Sequence, residues 1–196
     1  MLRHVPYSRV APLIPLLLAA CVTEGEEDFG PQSEFLQPSM LMKEQIARRI
    51  SDLPYLGGTE LIDALYWLGQ RGETAYEPLI EQLASPTPKM RALALNILCL
   101  NKDRRVLPYI EPLSDDPDQS VRYEAARGMA RLGDLSRVDI LVEGLEDDSR
   151  YVRALCARFL KEQTREDFGY EPDGPAPERV VAVAKWRDWA QRLPRD

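Results

Sequence analysis

The sequence predicts an all-α fold, a right-handed α-solenoid of about four helix pairs with a C-terminal capping helix. The main observation is a repeat: Met90-Arg91, Val121-Arg122 and Val152-Arg153 recur at an interval of 31 residues. Each dipeptide follows a leucine-bearing segment and a turn, and each opens an alanine-rich helix. Self-similarity at a fixed period of roughly 20–50 residues is typical of solenoid proteins, in which each repeat packs on its neighbours.

A second observation is the helical spacing of apolar residues from Met40 onward. Leu61, Ala64, Leu65 and Leu68, for example, follow the i, i+3, i+4, i+7 pattern of one helix face. The same criterion, bounded by glycine, proline, aspartate or serine turns, gives nine segments in order. The predicted helices span residues 40–50, 59–68, 73–83, 89–100, 104–113, 120–132, 136–145, 149–163 and 178–193.

The turns between paired helices have a local chemical reason. Proline residues surround Thr87, and aspartates precede the helices that start near Ser120 and Ser149. Aspartate and serine side chains accept hydrogen bonds from free N–H groups at a helix start, and negative charge suits that end of the helix dipole. Gly72 and Gly133 stand where helices are expected to end, as residues that tolerate positive φ.

The first 20 residues differ from the rest of the chain. Arg3 and Arg9 precede an apolar run, and small residues then lead to Cys21. The run is too short for a permanent membrane helix, which needs about 20 apolar residues, so residues 1–20 are predicted to be a secretory signal peptide.

Leu18-Ala19-Ala20-Cys21 resembles the lipobox of bacterial lipoproteins. The resemblance implies cleavage before Cys21, diacylation of its thiol and acylation of the new amino group. It also implies a bacterial cell-envelope location, and because Val22 is not aspartate, the outer membrane facing the periplasm. An ordinary signal peptide, with Cys21 incidental, is the alternative. Residues 21–39 are acidic and poor in apolar residues, which predicts a flexible tether.

Composition narrows the function. The chain has 25 basic and 32 acidic residues, and removal of residues 1–20 takes away two arginines and no acid, which changes the net charge from -7 to -9. Such acidity argues against nucleic-acid binding, which relies on lysine and arginine. Removal also takes His4, the only histidine. Histidine-dependent hydrolase triads and imidazole zinc sites are then excluded. We therefore expect no enzyme, cofactor or metal site.

The segment 113–133 carries Leu113, a turn of Ser-Asp-Asp-Pro-Asp-Gln-Ser, then Val121-Arg122, Ala125-Ala126 and Leu132-Gly133. It resembles the HEAT-repeat family, especially its short bacterial type, and the resemblance extends over residues 40–163. The second repeat has prolines in place of the aspartate turn, and the first has Glu60 at the arginine position. The resemblance implies a protein-binding scaffold with a concave inner face. Some relatives assist bilin attachment, so an accessory protein or enzyme of that kind is the alternative.

Residues 164–196 are predicted to form a loop and a tryptophan-bearing helix. A terminal repeat must cover an otherwise open apolar face, so this helix is expected to be a cap. A tryptophan-lined ligand site is the alternative. The aromatic residues of the first repeat are expected to be mostly core or cap, with a partner-facing patch as the alternative. These residues are Tyr55, Tyr66, Trp67 and Tyr76.

Two sets of arginines are candidate functional residues. Arg91, Arg122 and Arg153 are expected to form a structural ladder with the turn aspartates Asp116 and Asp147, with phosphate-like binding as the alternative. A second set lies on inner helices outside the apolar stripe, where the local charge reverses to positive; it predicts binding of an acidic protein, with a solvated face of helical ion pairs as the alternative. This set comprises Arg127, Arg131, Arg158 and Lys161.

Two further cysteines, Cys99 and Cys156, lie two repeats apart. Helix axes pack about 8–10 Å apart even between neighbours, whereas a disulfide needs Cα atoms within about 7 Å. Buried free thiols are therefore expected. The acidic pairs Asp115-Asp116 and Asp147-Asp148 are expected to be helix caps, with a calcium or acid/base site as the alternative; the sequence has no EF-hand loop.

Overall fold

A computed structural model describes residues 33–193, and the regular secondary structure of this part of the chain is entirely helical, with no β-strand. It holds nine α-helices, which confirms the all-α solenoid class. Their bounds are α1 Met40–Asp52, α2 Gly58–Gly69, α3 Tyr76–Gln82, α4 Pro88–Leu98, α5 Leu107–Ile110, α6 Gln119–Arg131, α7 Val138–Glu143, α8 Arg150–Thr164 and α9 Ala176–Gln191.

The first eight helices form four pairs. We call α1, α3, α5 and α7 the outer helices, and α2, α4, α6 and α8 the inner helices. Within the later pairs α3 packs on α4, α5 on α6 and α7 on α8, while α4 also packs on the next inner helix, α6. Each repeat therefore stacks on the one before it, as expected of a solenoid.

Three of the four outer helices, α3, α5 and α7, are shorter than the sequence pattern predicts. The segment expected to be one helix over 104–113 consists of a 3-10 turn, the four-residue α5 and a second 3-10 turn. Pro108 and Pro112 each lack the N–H that an α-helix needs, so they permit helix starts but interrupt a long ladder. α3 and α7 are likewise flanked by 3-10 turns.

The inner helices share one way of ending. A residue of positive φ follows each of them at Gly72, Lys102, Gly133 and Arg165. After α6, the N–H of Gly133 donates to the carbonyl of Ala130, and the N–H of Asp134 donates to the carbonyl of Met129 at 2.9 Å. These bonds satisfy carbonyls that the end of the helix would leave without donors.

The buried apolar residues form two clusters. The first extends from Phe35 to Leu132 through the first three repeats, and the second extends from Tyr123 to Trp186 through the fourth repeat and α9. Helix α6 contributes to both, with Met129 in the first cluster and Ala126 in the second. The core is therefore divided along the repeat stack, with α6 as the shared element.

Helix α9 covers the end of the last repeat. Trp186 is fully buried and makes edge-to-face contacts with Phe168, at 4.7 Å between ring centroids, and with Trp189, at 5.4 Å. The hydroxyl of the buried Tyr170 donates to the carbonyl of Leu145. The tryptophan thus fills the core as a cap does, and it does not line an open ligand site.

The predicted tether is structured at its end. Phe35 is only 4% exposed and contacts Tyr76 edge-to-face at 5.1 Å between centroids, and Leu36 donates its N–H to Glu73. The prediction of a flexible segment up to residue 39 is therefore wrong for its last residues, because one aromatic side chain holds them to the repeats. No periodic pattern signals such an isolated contact.

The predicted signal peptide, Cys21 and the tether up to residue 32 lie outside the described residues. None of the helices between residues 33 and 193 has both the length and the apolar composition needed to span a bilayer.

Candidate interaction surface

The three arginines of the repeat signature make one recurrent bond. In each case Nη1 donates at 2.8 Å to the carbonyl oxygen six residues earlier, from Arg91 to Ser85, from Arg122 to Asp116 and from Arg153 to Asp147. These carbonyls lie in the turn before each inner helix. The arginine therefore fixes the turn of its own repeat, which is a structural task.

Arg91 also joins two repeats. Its Nε and Nη2 donate to the two carboxylate oxygens of Asp116 at 2.8 and 2.7 Å. Asp116, 9% exposed, accepts a further bond from the backbone N–H of Asp118 at 2.8 Å. A bidentate pair of this kind fixes both distance and orientation between adjacent repeats.

In the next repeat a different side chain binds the turn carboxylate. The carboxylate of Asp147 accepts from the hydroxyl of Tyr123 at 3.1 Å, and Arg122 does not reach it. Arg153 bonds Asp147 only through its carbonyl, and its Nε and Nη2 instead donate to the carbonyl of Pro172 at 3.3 and 3.2 Å. The expected carboxylate ladder thus holds at Asp116 and is wrong at Asp147, where Tyr123 is the partner.

Three of the four candidate partner-binding cations line one cavity. Arg127 and Arg131 on α6 and Arg158 on α8 surround a space of about 320 Å³, together with Lys102 from the turn after α4. Leu155, Phe159, Glu162 and Gln163 complete the wall. We call this space the basic cavity.

Lys161 lies elsewhere. Its ammonium nitrogen pairs with Asp167 at 3.2 Å, and it faces a different depression near Tyr170. On α8 Lys161 comes three residues after Arg158 and directly before Glu162, and these two residues line both the basic cavity and the depression that Lys161 faces. The structure therefore places Lys161 beside Arg158 but outside the basic cavity.

Lys102 was not predicted from the sequence. It precedes Gly133 by 31 residues and, like that glycine, has positive φ, here 54°. The repeat period places it in the turn at the end of an inner helix. The 31-residue offset from Gly133 could have placed Lys102 in this turn. No sequence pattern, however, indicates that a lysine in such a turn lines a cavity together with residues of other helices.

The cations of the basic cavity differ in how they are paired. Arg127 donates to Glu124 at 2.6 Å, whereas Arg158 is 69% exposed and lies 3.9 Å from Glu162. Arg131 and Lys102 form no ion pair with any other residue of the described range. An excess of positive charge therefore remains at the surface of an acidic protein.

The aromatic residues of the first repeat divide into two groups. Tyr76 is buried, and Trp67 is half-buried between the guanidinium groups of Arg49 and Arg71. Tyr55 and Tyr66 are 88% and 66% exposed. The expectation that most of these residues are core is correct for only half of them.

Cys99 and Cys156 are free and buried, as predicted. Desolvation by burial raises the pKa of each thiol to about 12. The thiolate, and not the thiol, is the nucleophile. Both side chains have therefore little nucleophilic character at neutral pH.

Within residues 33–193, no group of three or more histidine, cysteine, aspartate or glutamate side chains could hold a metal ion. The acidic turn residues make local bonds instead. Asp118 accepts from the backbone N–H of Ser120 at 2.9 Å, and Asp147 accepts from that of Ser149 at 2.8 Å.

Comparison with protein families finds a match to the model of HEAT repeats over residues 76–161, which include α3 to α8 except for the last turn of α8. A search of curated proteins gives no match. HEAT repeats typically serve as non-catalytic scaffolds for protein interaction, in agreement with the helix pairs and turn arginines described above. Residues 76–161 of this chain are therefore a HEAT-repeat region.

Proposed function

We propose that this protein is a lipid-anchored scaffold of the bacterial cell envelope that binds an acidic protein through its inner helices. The carrying observation is the basic cavity: Arg127, Arg131 and Arg158 come together with Lys102 on a chain whose net charge is -7. A local field of opposite sign attracts acidic partners and sets their orientation.

The family supports the scaffold part of the proposal. HEAT-type repeats present consecutive inner helices along an extended surface, and such surfaces suit proteins better than small molecules. The same acidity that makes the basic cavity distinctive argues against nucleic acid, since phosphate contacts require a much larger basic area.

The sequence supports the anchor. Leu18-Ala19-Ala20-Cys21 is similar to a lipobox, and each methylene of an acyl chain buried in a bilayer adds about 0.8 kcal/mol of binding, so several chains anchor a protein durably. Phe35 packs on Tyr76 and Tyr109, which belong to outer helices. The residue that follows the proposed tether therefore attaches to outer helices and not to the wall of the basic cavity.

Affinity capture from native envelope extracts tests the scaffold. We expect the wild-type protein to capture a partner that the double variant, Arg131→Glu with Arg158→Glu, no longer captures. Arg127 is left intact because it is largely buried and contacts Phe159 and Glu124. The matched control, Arg48→Glu with Lys185→Glu, makes the same charge change at two exposed positions outside the cavity. Unchanged capture by the cavity variant would refute the inner-helix interface.

Labelling with radioactive palmitate tests the anchor separately. The full-length protein should incorporate label and fractionate with membranes, and Cys21→Ser should do neither. Label that persists in the Cys21→Ser protein, or membrane association without label, would contradict lipidation at this residue.

A further inference from the structure

Two equivalent positions of the repeat differ in side-chain size beside the basic cavity. On α6, Gly128 leaves room for the side chain of Cys99, and a Cβ atom at this glycine would lie 2.6 Å from the sulfur. The equivalent position on α8, 31 residues later, is Phe159. Helix α6 packs extensively on α4 but makes little contact with α8. The cavity lies between α6 and α8, and the ring of Phe159 forms part of its wall.

We propose that the basic cavity is a recognition pocket for carboxylate side chains of an acidic segment of the partner protein. This inference rests on the proposed scaffold function and specifies the chemistry of its binding site. It makes a distinct claim, namely that aspartate or glutamate carboxylates enter this one cavity between α6 and α8.

The charge balance of the cavity favours more than one carboxylate. Four cations line it or reach into it, and the carboxylates that neutralise them within the described residues are those of Glu124 and Glu162. Arg131 and Lys102 keep their charge without a partner in that range. Carboxylates bound by guanidinium groups gain charge-assisted hydrogen bonds, which are stronger than neutral ones.

The composition of the wall favours a side-chain carboxylate over a small inorganic anion. Leu155 and Phe159 supply apolar surface beside the cations. A glutamate side chain carries two methylene groups that can cover this surface while its carboxylate meets the guanidinium groups. Inorganic phosphate has no apolar part and would leave the same surface in water.

One cation of the pocket is held in place before any ligand arrives. The guanidinium of Arg127 lies 5.5 Å from the centre of the Phe159 ring and donates to Glu124 at 2.6 Å. Its Nε is buried and has no acceptor among the described residues. A side chain fixed in this way loses little conformational entropy on binding, so more of the interaction energy appears as affinity.

Binding of acetylated, amidated hexaglutamate to the full-length protein in neutral detergent tests the pocket. Fluorescence anisotropy should show binding that weakens with added salt, and no binding of the matching hexaglutamine. Arg131→Gln and Arg158→Gln should each weaken hexaglutamate binding about three- to fivefold, as expected for partly exposed charges. Arg48→Gln, an exposed arginine on α1, is the control and should leave the affinity unchanged.

Three results would overturn the inference. Hexaglutamate binding no stronger than that of hexaglutamine, equal loss in the Arg48 control, or full displacement by an equal concentration of inorganic phosphate would each do so. If hexaglutamate fails to bind while capture of the partner still requires Arg131 and Arg158, the carboxylate pocket is wrong and the scaffold interface stands. If hexaglutamate binds as expected while capture is unaffected, the pocket stands and the scaffold interface is wrong.

Discussion

At the scale of single residues, Asp116 is the position where an ion pair connects two repeats. We expect Asp116→Asn to lower the free energy of unfolding by about 1–2 kcal/mol, because it removes the charge that two N–H groups of Arg91 bind. Asp115→Asn, on the same turn with a side chain 73% exposed, should change stability by less than about 0.5 kcal/mol. If urea denaturation showed the same loss of unfolding free energy for both variants, the ion pair between the repeats would add no more stability than an exposed carboxylate does.

The same carboxylate predicts a pH dependence. Burial alone would raise the pKa of Asp116, but hydrogen bonds from Arg91 and from the N–H of Asp118 outweigh it and hold the pKa below its ordinary value. A folded-state pKa below the unfolded one, about 3.9, gives stability that is present above pH 4 and is lost as pH falls through the folded pKa. The stability difference between the unmodified protein and Asp116→Asn should therefore be full at pH 6 and shrink toward pH 3. A difference that is constant over this range would contradict the assignment.

The buried thiols give a second residue-scale prediction. With the pKa of Cys99 and Cys156 raised to about 12, the thiolate fraction at pH 8 is about one in ten thousand. We expect neither residue of the folded protein to react with iodoacetamide within an hour, and both to react in guanidinium chloride. Mass spectrometry of the labelled peptides separates them from Cys21. Rapid native labelling of either thiol would favour the alternative of an enzyme or an enzyme-accessory role.

Sequence reasoning identified the signature arginines but not all of their acceptors. The type of residue at 91, 122 and 153 follows from the repeat, and the turn carbonyls that they bind lie at the same offset each time. The exception at Asp147 depends on Tyr123, whereas Ala92 and Ala154 occupy its equivalent positions. An unaligned single sequence cannot show that a neighbouring hydroxyl displaces an arginine, since both are reasonable donors to a carboxylate.

At the scale of elements, the end of α6 gives a direct test of the turn geometry. Gly133 has φ of 82°, and an added Cβ would lie 3.1 Å from Nη1 of Arg104, which donates to the carbonyl of Leu132 at 2.8 Å. We expect Gly133→Ala to destabilise the protein by about 1–2 kcal/mol in thermal unfolding. Gly57→Ala is the control, since its φ of -149° is extended backbone and no atom lies within 4 Å of the added carbon. If Gly133→Ala destabilised the protein less than Gly57→Ala does, the role of Gly133 in ending α6 would be contradicted.

The existence and order of the helices could be predicted because each has an apolar face with helical spacing. What could not be predicted is how the outer helices break into α-helical and 3-10 turns. Proline at 108 and 112 is compatible with either form at a helix start, and the choice depends on packing against the next inner helix. Phe35 was missed for a related reason: one anchored aromatic residue in a polar segment leaves no periodic signal.

At the scale of the whole molecule, the solenoid class was predictable and the candidate interaction surface only in part. Three predicted cations share the basic cavity because the 31-residue period places them on adjacent inner helices. Lys161 does not line this cavity but shares an adjacent depression with Arg158, and Lys102 enters the cavity from a turn. Phe159 lines the cavity and Gly128, its counterpart on α6, faces Cys99 instead, a difference that becomes visible only when α4, α6 and α8 are stacked.

Because the core is divided into two clusters, we predict that a loss of stability in one cluster leaves the repeats of the other cluster folded. Trp186→Ala should remove about 3–5 kcal/mol from the second cluster, because it empties a fully buried site between α7 and α9. In repeat proteins each unit contacts mainly its neighbours, so amide exchange should rise through α7, α8 and α9. Amides of α2 and α4, which belong to the first cluster, should keep their protection.

Hydrogen exchange followed by mass spectrometry distinguishes this outcome from global unfolding, with Val181→Ala on the exposed side of α9 as the control. If protection fell equally in α2, α4 and α8, the described repeats would unfold as one cooperative unit, and the division of the core would have no energetic meaning. If exchange rises only from α6 onward, helix α6 is the boundary between two cooperative units. The basic cavity would then lie at that boundary, where partner binding to α6 and α8 would also stabilise the weaker half of the stack.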